Sequence, residues 1–115
     1  MVVEDDPGIR TLTVDALSYC VNRDVVSFPD GTSAWHYLDR GNGADLVISD
    51  VDMPGMGGLE LMSKFKEKWS NKIFILMSGR EENEAKAESA GADAFLRKPF
   101  SINDLFKIVQ HFVVD

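Results

Sequence analysis

The sequence predicts an α/β fold in which five strands alternate with five helices around a parallel sheet. Short, apolar runs recur along the 115 residues, and each is followed by polar residues, glycine or proline. Longer segments between these runs carry apolar residues at helical spacing. Apolar strands that alternate with helices are typical of a parallel sheet covered on both faces.

The first predicted strand is the shortest, because only Met1, Val2 and Val3 precede an acidic pair. A central strand usually needs about five residues, so we expect the sequence to be a piece of a longer protein. The other predicted strands are 25–28, 46–50, 73–77 and 94–96.

The first two helices are predicted from their starts, stops and apolar spacing. Asp6 suits the N-cap of the first helix and Pro7 its first position, and two glycines at 41 and 43 end the second helix. The apolar positions expected in the core are Ile9, Leu12, Ala16, Leu17 and Cys20 in the first helix, and Ala34, Trp35 and Leu38 in the second.

The last three helices differ in the strength of their apolar faces. The fourth, predicted over 81–89, presents mostly alanine, so we expect it to be the most weakly held. Ser101 and Asp104 have the spacing of a capping box at the start of the fifth helix. The apolar positions are Leu59, Met62, Phe65 and Trp69 in the third helix, Ala85, Ala87 and Ala90 in the fourth, and Ile102, Leu105, Phe106, Val109, Phe112 and Val113 in the fifth.

Length and composition indicate one globular domain over residues 1–115. Nineteen acidic and twelve basic residues leave a net charge of −7, which argues against binding of a nucleic-acid backbone by this domain alone. Cys20 is the only cysteine, so a disulfide framework is excluded, and we expect a buried, inert thiol. The sequence shows no signal peptide or membrane span, and a cytoplasmic protein is expected.

Polar side chains directly follow four of the predicted strands. They are Glu4 and Asp5, Asp50, Ser78 and Lys98. Because the carboxyl ends of parallel strands share one edge of the sheet, these side chains should converge there. Each alone also fits an ordinary role as a turn, loop or surface residue, and their shared position after strands is what favours a site.

The chemistry of this set indicates phosphoryl transfer to an aspartate. Three carboxylates repel one another, and an all-oxygen site suits Mg²⁺, which leaves room for phosphate oxygens. Lys98 supplies a mobile cation for an anion, and Ser78 supplies a hydroxyl donor. A carboxylate nucleophile with these neighbours has the groups that such a transfer needs.

Several segments together resemble the receiver domain of two-component response regulators. They are the acidic pair before Asp-Pro, Ser-Asp-Val-Asp-Met-Pro-Gly-Met-Gly-Gly, Met77-Ser78-Gly79, Gly91-Ala92-Asp93-Ala94-Phe95-Leu96 and Lys98-Pro99-Phe100. The resemblance covers essentially the whole chain. It implies a flavodoxin-like (βα)5 fold with strand order 2-1-3-4-5, and a signalling domain that catalyses only its own phosphoryl transfer and dephosphorylation.

The resemblance also implies roles for the acidic residues. Asp50 is similar to the phospho-accepting aspartate. Glu4 and Asp5 are similar to the metal-binding pair for Mg²⁺, or Mn²⁺, with Asp5 a direct ligand and Glu4 acting through water. The backbone carbonyl of Asp52 would be a further ligand.

The remaining implications concern the switch and the partners. Ser78 resembles the switch hydroxyl, Phe95 the switch aromatic, and Lys98 the phosphate-contacting lysine, with a cis peptide to Pro99. Phe95 stands where tyrosine is also common, so it offers no phenolic hydroxyl. The implied partner is a histidine kinase or a histidine phosphotransfer protein. The resemblance also suggests a homodimer through the fourth helix, fifth strand and fifth helix.

Two other readings compete with a phospho-accepting receiver. Haloacid dehalogenase-like phosphatases also place a second aspartate two residues after the nucleophile, but Met53-Pro54 follows here instead of Gly-Thr, and the chain is short for that family. A receiver fold that serves only as an interaction module is the second alternative. The presence of Asp50, Ser78 and Lys98 together argues against it.

A last hypothesis concerns access of water to the phosphorylated site. Asp52 lies two residues past the acceptor and Arg80 two past Ser78. Both start from loops at the same edge and carry opposite charge, so we hypothesise that they pair across the mouth of the site and hinder water.

Overall fold

The structure is a computed structural model that describes residues 1–21 and 23–113; positions 22, 114 and 115 of the expected domain lie outside the described residues. Five strands alternate with five helices, as expected. The strands are β1 (Val2–Val3), β2 (Ser27–Phe28), β3 (Leu46–Asp50), β4 (Ile73–Ser78) and β5 (Ala94–Arg97), and the helices are α1 (Pro7–Cys20), α2 (Gly31–Asp39), α3 (Gly58–Lys68), α4 (Glu82–Ala90) and α5 (Ile102–Phe112).

The sheet confirms the expected strand order, with β1 between β2 and β3, and β4 and β5 beyond β3. Every pairing is parallel. Pairing of the first strand extends to Met1, whose ammonium donates to the carbonyl of Leu46 and whose carbonyl accepts from the amide of Ile48. β2 is shorter than the predicted strand over 25–28, since its ladder covers only two residues.

Two apolar layers cover the two faces of the sheet. The first contains α2, α3 and Ala87 of α4 against alternate strand residues, and the second contains α1 and α5 against the others. In β3, for example, Val47 belongs to the first layer and Ile48 to the second. This alternation is the period-two geometry of a strand that is buried on both faces.

The loop after β3 is held tightly against the carboxyl edge of the sheet. The amide of Gly58 donates to the carbonyl of Val51 over 2.8 Å. A Cβ at position 58 would lie only 2.0 Å from the carbonyl oxygen of Asp50. Glycine at the start of α3 therefore lets this helix begin directly beside the end of β3.

The predicted local signals are largely confirmed. Asp6 accepts from the amides of Gly8 and Ile9 as the N-cap of α1. Ser101 and Asp104 form the capping box of α5. The peptide bond between Lys98 and Pro99 is cis.

Some predicted core positions are wrong. Leu12 is 50% exposed and Ile102 is 46% exposed, because the helical stripes to which they belong are wider than the contact with the sheet. Cys20 is only half-buried, and burial raises the pKa of its thiol. In α4, Ala85 and Ala90 are exposed, and the buried residues are Asn83 and Ala87.

Within the described ranges, the chain forms no helix of the length and apolar character needed to span a bilayer.

Candidate functional site

The carboxyl edge of the sheet brings together the side chains that the sequence placed at strand ends. Asp50 closes β3, Ser78 closes β4, and Glu4 follows β1 directly. Lys98 follows β5, and its amide donates to the carbonyl of Ser78. Glu4, Asp50 and Ser78 are all buried, so the expected convergence produces a largely enclosed polar cluster.

Lys98 connects the two most deeply buried carboxylates. Its Nζ lies 2.5 Å from Oδ1 of Asp50 and 2.6 Å from Oε1 of Glu4. The other oxygen of Glu4 accepts from the amide of Asp6. Both oxygens of Glu4 therefore have partners within the protein, and this glutamate is completely covered.

Crowding of the two carboxyl groups changes their protonation. Burial and the hydrogen bond with Glu4 raise the pKa of Asp50 to about 8, although Lys98 opposes the rise. Burial alone would raise the pKa of Glu4 too, but its hydrogen bonds with Asp50 and Lys98 leave it below the ordinary value. Near neutral pH the two groups thus retain one proton between them. Their carboxylate oxygens lie within 4.8 Å of each other, and two negative charges this close cannot both form freely.

Lys98 responds in the opposite sense. Burial alone would lower the pKa of its ammonium, but its hydrogen bonds with Asp50 and Glu4 raise that pKa above the ordinary value. Lys98 is therefore a fixed positive charge at the site over the physiological pH range.

Asp5 completes an acidic cluster at the mouth of the site. Carboxylate oxygens of Glu4, Asp5 and Asp50 all lie within 4.8 Å of one another, and Asp5 is exposed while the other two are buried. Oxygen donors of this kind are the ligands that Mg²⁺ prefers, with only one or two carboxylates bound directly. The donor set therefore fits a hard divalent cation, with Asp5 and Asp50 as the two carboxylates that line the adjoining cavity.

A small cavity of about 160 Å³ lies beside the cluster. Liquid water occupies roughly 30 Å³ per molecule, so the cavity has room for a group of phosphoryl size. Its lining contains Asp5, Asp50, Asp52, Ser78, Arg80 and Lys98, with Met77 and Gly79.

A larger cavity of about 480 Å³ opens at the opposite edge of the sheet, between Leu17, Leu46 and Val109. It contains none of the converging strand-end residues and lies away from the acidic cluster. We therefore place the functional site at the smaller cavity, because the converging polar side chains line it.

One residue at this edge was missed by the sequence reasoning. Asn83 in the first turn of α4 is buried, and its Nδ2 donates to Oγ of Ser78 and to Oδ2 of Asp52, both over 2.9 Å. A signal was available in the sequence: Asn83 lies four residues before the buried Ala87, so the two occupy the same helical face.

The remaining predicted residues lie at the rim. Nη1 of Arg80 is 3.9 Å from Oδ2 of Asp52, and Nε of Arg80 is 3.5 Å from Glu82, with all three side chains mostly exposed. Phe95 is half-buried on β5 and packs against the apolar layer under α2, α3 and α4. Hindrance of water by Asp52 and Arg80 stays a prediction, and so does the role of Phe95 in the switch.

Comparison with known proteins agrees with this geometry. The family model of the response regulator receiver domain matches residues 1–110. The chain is 32% identical over 112 residues to the DNA-binding transcriptional regulator NtrC of Azospirillum brasilense, covering 96% of this chain and 23% of that protein. It is 31% identical over 115 residues to the response regulator Rre1 of Synechocystis, covering 96% of this chain and 49% of that protein. The chain thus spans half or less of these relatives.

Solved structures show the same fold. The response regulator TrrA of Thermotoga maritima, crystallised in complex with Mg²⁺-BeF, superposes with a TM-score of 0.86 at 29% identity, covering 97% of this chain and 96% of TrrA. The BeF3-activated receiver domain of DrrB superposes with a TM-score of 0.84 at 28% identity, covering 96% of this chain and 92% of that domain. Receiver domains are signalling modules rather than conventional enzymes. With the fold, the acidic cluster and the family match in agreement, this chain belongs to the response regulator receiver domains of two-component systems.

Proposed function

We propose that Asp50 accepts a phosphoryl group from the phosphohistidine of a histidine kinase or of a histidine phosphotransfer protein. The observation that carries this proposal is the contact of Lys98 with both Asp50 and Glu4 beside a cavity of about 160 Å³. It joins a nucleophilic carboxylate, a fixed cation and an open space for the incoming group.

The transfer makes one bond and breaks one bond. A carboxylate oxygen of Asp50 bonds to phosphorus, while the bond from phosphorus to the histidine nitrogen breaks and that nitrogen keeps the electron pair. Asp50 has to lose its proton first, because only the carboxylate is a nucleophile. Lys98 favours that loss and then meets the negative charge of the phosphoryl oxygens.

A bound Mg²⁺ or Mn²⁺ would neutralise negative charge on the acidic cluster and on phosphoryl oxygens. Asp5 and Asp50 are the residues proposed to hold it directly, with the backbone carbonyl of Asp52. Glu4 is proposed to act on the metal through water and not as a direct ligand, since its carboxylate is covered and already bonded to Lys98.

The readout is proposed to run through Ser78 and Phe95. A phosphoryl group on Asp50 would draw the Ser78 hydroxyl toward it, and Phe95 would turn inward into the vacated space. The surface formed by α4, β5 and α5 would then change its affinity for a target or for a second copy of the chain. The cytoplasmic location expected from the sequence stays a prediction.

Phosphorylation can be tested with a small phosphodonor. The protein is incubated with acetyl phosphate and Mg²⁺, and its intact mass is measured. We expect one added phosphoryl group in the parent and in Asp15→Asn, an exposed aspartate on α1, but none in Asp50→Asn. Full labelling of Asp50→Asn would show that the acceptor lies elsewhere, and an unlabelled parent would favour an interaction module that takes no phosphate.

Movement of the readout surface can be tested by amide hydrogen exchange with and without beryllofluoride and Mg²⁺. We expect altered protection in α4, β5 and α5. Changes confined to α1 and α2 would contradict the proposed readout surface.

A further inference from the structure

Asn83 is a buried polar residue that joins α4 to the switch hydroxyl. It is only 2% exposed. Its Nδ2 donates one hydrogen bond to Ser78 and one to Asp52. An ionised carboxylate only accepts hydrogen bonds, so the NH₂ group of the amide must face Asp52. The two hydrogens of that NH₂ group are then both used at the carboxyl edge of the sheet.

These contacts restrict Ser78. A hydroxyl oxygen has two lone pairs and one hydrogen. Oγ of Ser78 accepts from Asn83 and also from the backbone amide of Arg80, over 3.0 Å. Both acceptor positions are thus occupied by groups on the α4 side, and these bonds hold the oxygen where it is.

The hydrogen bonds of Asn83 to Ser78 and Asp52 also help to hold α4 against the sheet. Only Asn83 and Ala87 are buried in this helix, and its N-cap residue, Glu81, makes no side-chain capping bond. Ala87 contributes a single methyl group to the apolar layer. A buried amide with two hydrogen bonds is therefore the main polar link between the first turn of α4 and the site.

We propose that Asn83 is a positioning residue that stabilises the resting position of the Ser78 hydroxyl and couples this hydroxyl to α4. The inference rests on the proposed phosphorylation of Asp50. If Ser78 moves toward a phosphoryl group, either its hydrogen bond with Asn83 breaks or the start of α4 follows. In both cases Asn83 opposes the switch before phosphorylation, and in the second case it also transmits the movement of Ser78 to α4.

The test measures the affinity for beryllofluoride in the presence of Mg²⁺, as a mimic of the phosphoryl group. Loss of one hydrogen bond in the resting state should tighten apparent binding about fivefold in Asn83→Ala. Asn83→Leu, which keeps a branched side chain of similar reach but not the hydrogen bonds, should bind similarly tightly and guards against failure of the alanine variant to fold. Glu88→Gln changes an exposed residue of the same helix without touching Ser78 or the packing of α4, and it should bind like the parent.

The outcomes separate this inference from the proposed function. Unchanged or weaker binding in both Asn83 variants would overturn the positioning role while the function stands. If the parent itself does not bind the mimic, the proposed function fails, and a double-mutant cycle on chemical unfolding still decides the coupling. The destabilisation caused by Asn83→Ala should shrink in a Ser78→Ala background; an equal loss in both backgrounds would contradict the coupling.

Discussion

Lys98 reaches across the carboxyl edge of the sheet to Glu4, a residue 94 positions earlier in the chain, and its Nζ contacts Oε1 of Glu4 at 2.6 Å. The same nitrogen contacts Asp50. One ammonium thus pairs with two buried carboxyl groups. The stability of this edge and the chemistry of the acceptor both depend on it.

Lys98→Met should destabilise the protein by about 2–4 kcal/mol at pH 8, because removal of one partner leaves buried acidic groups uncompensated. At pH 5 the loss should be smaller, since Asp50, whose pKa is about 8, is then protonated and adds no unpaired charge. Urea unfolding at both pH values measures this. Lys86→Met on the exposed face of α4 should stay within about 0.5 kcal/mol of the parent. An equal loss from Lys98→Met at both pH values would argue against a charge effect.

Asp50→Asn should stabilise the protein at pH 8 by on the order of 1–3 kcal/mol. The pKa of Asp50 is raised from 3.8 to about 8 by folding, so the folded state binds its proton more tightly than the unfolded state. The free energy of unfolding therefore falls as pH rises through that window. Asparagine resembles the protonated acid and has no proton to lose.

The measurement is the unfolding free energy of Asp50→Asn between pH 5 and pH 8, compared with Asp15→Asn and the parent. The Asp50→Asn profile should be flatter than the other two. Parallel profiles for all three proteins would show that ionisation of Asp50 does not oppose folding.

Millimolar Mg²⁺ should raise the thermal midpoint of the parent, because a cation that binds only the folded acidic cluster stabilises it by mass action. At a hundredfold excess over the dissociation constant, the gain is about 2.7 kcal/mol. Asp5→Asn should reduce the shift, and the exposed Asp24→Asn, away from the cluster, should leave it unchanged. The same midpoint with and without Mg²⁺ in the parent would count against a preformed site.

Arg80→Ala and Asp52→Asn should each speed loss of the phosphoryl group if the two side chains hinder water. The 3.9 Å separation and the exposure of both side chains place their pairing at about 0–1 kcal/mol, so the expected acceleration is at most about fivefold. Strong non-additivity in the double mutant is the signature of a shared gate. Dephosphorylation rates measure it, and additive effects would identify two independent surface charges.

Gly58→Ala should destabilise the protein by roughly 1–3 kcal/mol, as overpacking does elsewhere. The new methyl group would lie 2.0 Å from the carbonyl oxygen of Asp50, so either β3 or the start of α3 has to shift. Gly43→Ala is the matched control, because a Cβ there meets nothing within 4 Å. Thermal unfolding compares the two, and equal stability would show that the edge of the sheet adapts freely.

The sequence by itself determined the order of the elements and the edge at which the site forms. Apolar runs such as Leu46–Asp50, followed by Pro54 and Gly55, leave few alternatives to a buried strand that ends at an acidic loop. Parallel pairing then forces Asp50, Ser78 and Lys98 to one edge, whatever the details of packing. Local caps were readable too, because the groups that make them lie two or three residues apart.

Tertiary structure decided which partners these side chains take. The contact between Asn83 and Asp52 joins residues 31 positions apart, and it depends on how α4 is rotated against the sheet. The exposure of Leu12 and Ile102 was likewise set by the width of the contact between their helices and the sheet. Helical spacing defines a stripe, but the neighbouring elements decide how much of that stripe is covered, and only their packing shows that Glu4 is buried against Lys98.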